Sequence, residues 1–248
     1  MILQMDVGNT RIKWRWLESD SLTVLGRGHG LFKELQLSDG RLPERIELAC
    51  VCSTAQRREL LAACGERFPG VPCVESRSMA QLGELRNSYA QPGDLGVDRW
   101  LAMLEAHYRF PGGVAVVDAG TAVTIDYVAP DGHHLGGYIL PGRQLMERAL
   151  DQGTAQVLFQ SHEGGCSAEP GHSTQACVMS GQVWLCRALL KQVMVDAQHQ
   201  GLQTVVVTGG DARRYIDGTT ERLEHCPDLV LDGLSRYCKL IAAGGSNG

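Results

Sequence analysis

Val114-Ala115-Val116-Val117-Asp118-Ala119-Gly120-Thr121, followed by Ala122-Val123-Thr124-Ile125-Asp126-Tyr127-Val128, decides the fold because the chain opens in the same way. Its start reads Ile2-Leu3-Gln4-Met5-Asp6-Val7-Gly8-Asn9-Thr10, then Arg11-Ile12-Lys13-Trp14-Arg15-Trp16-Leu17. Each stretch is an apolar strand, an Asp, one residue, a Gly, a Thr close behind and a second strand. Self-similarity of this kind outranks other signals. It implies two related halves, with the break at Pro111-Gly112-Gly113 and domains over 1–111 and 112–248.

Outward from these hairpins, helices alternate with strands. Arg45 to Cys52 reads as an apolar strand, Gln56 to Arg67 and Asp98 to Tyr108 as helices, and Leu140 to Leu150 as the start of another. Gln175 to Gln198 is a longer helical region, and Thr204 to Asp211 a strand ending in Gly209-Gly210. In the second strand polar and apolar residues alternate, so one face is expected buried and the other wet. Trp14 and Trp16 fall on the apolar face. Cys50 and Cys52 alternate with Val51 as ordinary strand residues. His133-His134, after Asp131-Gly132, read as solvated turn residues. Strands mixed with helices make the class α/β.

Bulk properties narrow the function. The 248 residues are 44% hydrophobic and 21% charged, enough for a sizeable core. The formal charge of −5 comes with scattered basic residues, which argues against a nucleic-acid partner. Neither a signal peptide nor a membrane span is legible. Nine cysteines without a CxxC pair argue against zinc and thioredoxin chemistry, and for reduced thiols in a cytoplasm.

The two Asp-x-Gly turns carry the chemistry. A phosphate needs backbone N–H groups that no side chain covers, and glycine permits that approach. Asn9, Thr10 and Thr121 add polar donors, and Lys13 can reach a phosphate from the next strand. Asp6 and Asp118 stand beside the turns, where a carboxylate can hold hydrated Mg²⁺. No Walker A or Rossmann fingerprint is present. In Tyr89-Ala90-Gln91-Pro92-Gly93-Asp94-Leu95-Gly96-Val97-Asp98-Arg99-Trp100, Asp98 and Arg99 stand together at a helix start. That pairing suits a base for a hydroxyl proton beside a cation that fixes an anion. An ordinary helix-capping role remains the alternative there.

Asp6 to Thr10 with Lys13, Leu95 to Trp100, and Asp118 to Thr124 resemble the successive motifs of type III pantothenate kinases, and Gly136 to Gly142 a further family segment. The resemblance runs over the whole chain. It implies two duplicated ribonuclease H-like domains, mixed sheets flanked by helices, of the actin/hexokinase/Hsp70-like superfamily, with ATP held between them. It implies ATP-dependent phosphorylation of pantothenate. Asp6, Val7, Gly8, Asn9, Thr10, Arg11, Ile12, Lys13 and Thr121 would contact ATP. Tyr89, Gly96, Val97, Arg99 and Thr174 would line the pantothenate site, with Asp98 as proton acceptor. Asp118 would bind a monovalent cation, potassium or ammonium, and Gly209-Gly210 would lie near adenosine. A homodimer is implied, with Thr174 reaching substrate across its interface. A non-catalytic regulator that kept the fold, and a sugar or acetate kinase of the same superfamily, are the alternatives.

Overall fold

The computed structural model describes residues 1–8, 11–36, 41–153, 169–217 and 223–244. Asn9 and Thr10 of the expected phosphate loop therefore lie outside the described residues. The chain forms two compact units, Met1–Glu105 with Leu229–Gly248, and Ala106–Asp228.

In the first unit β1 (Ile2–Val7), β2 (Ile12–Leu17), β3 (Val24–Gly30), β4 (Arg45–Cys50) and β5 (Cys73–Glu75) form one sheet in the order β3-β2-β1-β4-β5. β2 runs antiparallel to β1 and β3, whereas β4 runs parallel to β1 and β5. α1 (Thr54–Arg67) follows β4. It starts at Ser53, whose side chain accepts from the Gln56 N–H while Gln56 reaches back, a reciprocal cap that satisfies two orphan donors. The short pair β6 (Gln81–Leu82) and β7 (Leu85–Arg86) precedes α2 (Val97–Arg109). Leu3, Met5, Trp14, Trp16, Leu48 and Phe68 build this unit's core, so the two tryptophans pack as expected.

The second unit repeats the plan. β8 (Val114–Ala119), β9 (Ala122–Val128), β10 (His134–Pro141), β11 (Thr204–Thr208) and β12 (Glu224–His225) lie in the order β10-β9-β8-β11-β12. β9 is antiparallel to β8 and β10, and β11 is parallel to β8 and β12. Strand for strand, order and sense match the first sheet, as the duplicated sequence requires. α3 (Arg143–Gly153), α4 (Thr174–His199) and α5 (Ala212–Ile216) complete the unit. Its core joins Val117, Ile125 and Tyr127 to Leu190 and Val193 of α4.

The last helix, α6 (Leu229–Gly244), belongs with the first unit, not with the half that precedes it in sequence. It explains one departure from expectation. The polar face of β2 is not wet: Arg15 is 5% exposed, and Gln4 and Glu47 on the neighbouring strands are sealed. Arg15 donates to Asp232 Oδ1 at 2.6 Å, to the Leu231 carbonyl at 2.7 Å and to Gln4 Oε1 at 2.7 Å. Gln4 in turn donates to Glu47 at 2.5 Å and Ser235 at 2.8 Å. A buried polar group is tolerated when its partners are built in. Here α6 supplies them.

Three further readings need correction. Leu140 and Pro141 end β10, and α3 begins only at Arg143. β4 ends at Cys50, leaving Cys52 in a bend. His134 is no solvated turn residue: it is sealed in β10, its Nε2 3.0 Å from Oδ1 of the equally buried Asp126. A buried polar side chain needs such a partner.

Candidate active site

Each β-hairpin places its Asp one residue before the end of its strand. In the first, Asp6 stands opposite the half-buried Lys13, so both side chains share a face of the sheet. The Gly8 N–H closes the turn on the Arg11 carbonyl at 3.2 Å, and the Val51 N–H ties the end of β4 to the Val7 carbonyl at 3.0 Å. In the second hairpin Asp118 stands opposite Thr124, and the Gly120 N–H donates to the Ala122 carbonyl at 3.0 Å. Thr121 is exposed at the tip.

Neither Gly8 nor Gly120 occupies the left-handed backbone region. Among the described residues, a Cβ on Gly8 would come nearest to the Arg11 oxygen, at 3.4 Å, and one on Gly120 nearest to the Ala122 oxygen, at 3.6 Å. Among the described residues, nothing around either position demands glycine. Around the second loop the opposite holds. Gly209 has φ +94°, and a Cβ there would lie 2.3 Å from the Ala119 oxygen and 2.5 Å from Asp118 Oδ1. A Cβ on Gly142 would lie 2.3 Å from the Gly120 oxygen. The Gly142 N–H donates to the Thr121 carbonyl at 3.0 Å, and the Asp211 N–H to the Ala119 carbonyl at 2.9 Å. The second loop is thus braced by its own unit. Gly209, expected near adenosine, packs against Asp118.

Asp98 is the second residue of α2, half-buried, near the positive end of the helix. Its Oδ1 accepts from the Arg99 N–H at 2.8 Å. A Cβ on Gly96 would sit 2.6 Å from that oxygen, so glycine makes room for the carboxylate. Arg99 is only 5% exposed. Its Nη1 donates to the Tyr89 hydroxyl at 2.9 Å, and the guanidinium lies 5.8 Å from the centre of the Tyr89 ring. Asn87 holds that loop by donating to the Met79 and Pro92 carbonyls, both at 3.2 Å, and by accepting from the Tyr89 N–H at 3.0 Å. Tyr89, Gly96, Asp98 and Arg99 therefore lie together around the start of α2. A carboxylate beside a buried guanidinium can orient a hydroxyl while an anion is held next to it.

Thr174 is the first residue of α4, exposed, just after the capping Ser173. It lies in the other unit. Arg143, bonded to Glu147 at 2.6 Å, and Asp211 flank the second loop and were not anticipated. The Gly142-Arg143 step after a strand was the available signal. Among the described residues no cluster of three His, Cys, Asp or Glu side chains suits a metal ion.

Two five-stranded sheets of one design, each with a glycine-bearing hairpin, make a duplicated α/β fold of the actin/hexokinase/Hsp70-like kind. Solved structures agree. A Campylobacter jejuni protein described as a Baf family transcriptional activator superposes with a TM-score of 0.61 at 19% identity, covering 97% of this chain and 99% of that one. A Sinorhizobium meliloti protein described as a 2-dehydro-3-deoxygalactonokinase superposes with a TM-score of 0.54 at 14% identity and the same coverage. At these identities the likeness speaks for the fold. The chain belongs to the type III pantothenate kinase family, whose family model matches residues 2–196. It is 38% identical to the type III pantothenate kinase of Marinobacter nauticus over 99% of both chains. It is 36% identical to that of Cellvibrio japonicus over the full length of both.

Proposed function

We propose that the protein transfers the γ-phosphoryl group of ATP to the primary hydroxyl of pantothenate, the first step towards coenzyme A. The observation that carries this reading is the Asp98–Arg99–Tyr89 constellation at the start of α2, in a chain that belongs to this family along its whole length. Asp98 orients the acceptor hydroxyl and takes its proton. Phosphoryl transfer tolerates a weak base, because the transition state is loose and positioning contributes most. Arg99, pinned by Tyr89, holds the pantothenate carboxylate, and Gly96 and Val97 line the same site.

Asp6, Val7, Gly8, Asn9, Thr10, Arg11, Ile12 and Lys13 are assigned to ATP from the first hairpin, and Thr121 from the second. Lys13 supplies positive charge to the phosphates. Asp6 and Asp118 offer carboxylate oxygens, the donor chemistry that hard cations require. Asp118 with the carbonyls and hydroxyls of its loop suits a monovalent cation, and a carboxylate beside the phosphates suits Mg²⁺. Such ions, when bound, offset the charge that develops on the transferred group.

A homodimer fits the apolar surface of the second unit. Tyr138, Ile139 and Trp184 are 56%, 63% and 63% exposed, on β10 and α4, with Leu140 and Leu185 beside them. Thr174, exposed at the start of α4, would then serve the partner's substrate site. Among the described residues no helix is long and apolar enough to cross a membrane, and a cytoplasmic location suits the biosynthetic role.

A coupled assay of ADP release with a panel of acceptors, with and without potassium, tests the reading. Release that depends on pantothenate is expected. Release with acetate or a sugar instead would replace the substrate, and release with none would favour a regulatory role.

A further inference from the structure

Cys50 and Cys52 are not the alternating strand residues that the sequence suggests. Two residues apart in a strand, side chains are separated by about 6.6 Å along the chain. Here β4 stops at Cys50, the chain bends at Cys52, and the two Sγ atoms approach to 2.7 Å. A disulfide bond measures about 2.05 Å, so little movement separates this contact from closure. Both thiols are half-buried and free. Cys52 directly precedes Ser53, the N-cap of α1, where the helix end favours an anion. Burial, and then the contact with Cys52, pushes the Cys50 thiol up to about 12. The side chains facing the pair include Arg57 and Glu75, which are bound to each other.

We propose that Cys50 and Cys52 form a reversible modification site, a dithiol that a low-molecular-weight disulfide of the glutathione class closes to an intrachain disulfide. Cys52 loses its proton and its sulfur attacks one sulfur of the oxidant, expelling a thiolate that takes up a proton. Cys50 then loses its proton and attacks Cys52 Sγ, expelling the second thiol. Two protein thiols are oxidised, and one small disulfide is reduced to two thiols. A ring closed across a single intervening residue confines little of the unfolded chain and carries strain, so reduction is easy.

Val51 couples the pair to the phosphate loop, because its N–H is bonded to the Val7 carbonyl one residue before Gly8. This coupling rests on the assignment of that loop to ATP. Closure is expected to raise the KM for ATP roughly threefold to tenfold, part of one charge-assisted hydrogen bond, with the KM for pantothenate unchanged.

Mass spectrometry of the full-length protein after incubation with oxidised glutathione, alkylation and trypsin tests the site. Residues 46–57 form one tryptic peptide holding both cysteines and no other. The expected result is an unalkylated peptide lighter by two hydrogens, restored by reduced glutathione. Cys52→Ser should abolish this closure and the ATP response together. A doubly alkylated peptide, at oxidant levels that modify the exposed Cys73 or Cys177, overturns the proposal. Closure with an unmoved ATP KM overturns the coupling. A reduced protein inactive with pantothenate would count against the kinase reading, while the peptide mass still decides the thiol pair.

Discussion

Replacing Gly8 or Gly120 by alanine separates what the fold needs from what the nucleotide needs. The backbone at both positions lies outside the left-handed region, and the added Cβ would stand 3.4 Å and 3.6 Å from its nearest described neighbours, ordinary contact distances. Folding should be neutral to each change or favoured by about 0.4–1 kcal/mol, because alanine restricts the unfolded chain. For a chain of this size that keeps Tm within about 4 °C of wild type. The cost falls on ATP. A methyl group in the path of a phosphate displaces it from neighbouring donors, and a hydrogen bond to a charged group contributes about 1.5–3 kcal/mol. ATP affinity should therefore fall roughly 10- to 150-fold. Calorimetric titration of Mg²⁺–ATP, with a thermal scan of the same samples, measures both quantities. Gly209→Ala is the contrast: its φ of +94° and the 2.3 Å approach to the Ala119 oxygen predict a lower Tm. Wild-type ATP affinity in folded Gly8→Ala and Gly120→Ala would refute the reasoning.

Three other outcomes follow from the same structure. Asp98→Asn should lower kcat about 100-fold or more and leave ATP affinity near wild type, read by steady-state kinetics beside titration. Arg15→Ala removes the centre of a buried network that binds α6 to β1 and β2, and should cost about 3 kcal/mol or more in urea unfolding. Burial pushes the Cys64 thiol up from 9.0 to about 12, so above pH 9 the unfolded chain loses this proton before the folded one does. Stability should then fall as pH rises from 9.0 towards about 12, with Cys64 contributing up to about 1.4 kcal/mol per pH unit. Cys64→Ala should make the slope shallower.

Much of this was legible because local signals agreed with one another. The Asp-x-Gly hairpins lie at the same place in both sheets, and the start of α2 carries Asp98 and Arg99 on adjacent positions. What escaped depended on partners distant in sequence. Arg15 reads as a wet residue until α6, more than two hundred residues later, supplies Asp232 and the Leu231 carbonyl. α6 itself carries a helical signal in the spacing of Val230, Leu234, Tyr237 and Ile241. β3, β5 and β12 are edge strands, short or glycine-rich, with weak patterns of their own. His134 looked like part of a turn because its partner Asp126 lies on the neighbouring strand. The hairpin positions legible at Asn9 and Thr10 lie outside the described residues.

The most direct trial of the kinase assignment follows the phosphoryl group itself. ATP labelled in its γ-phosphate, incubated with the protein and pantothenate, should yield labelled phosphopantothenate in step with ADP, and Asp98→Asn should slow that transfer. Label released only as inorganic phosphate, or left on ATP while pantothenate stays unmodified, would contradict the assignment.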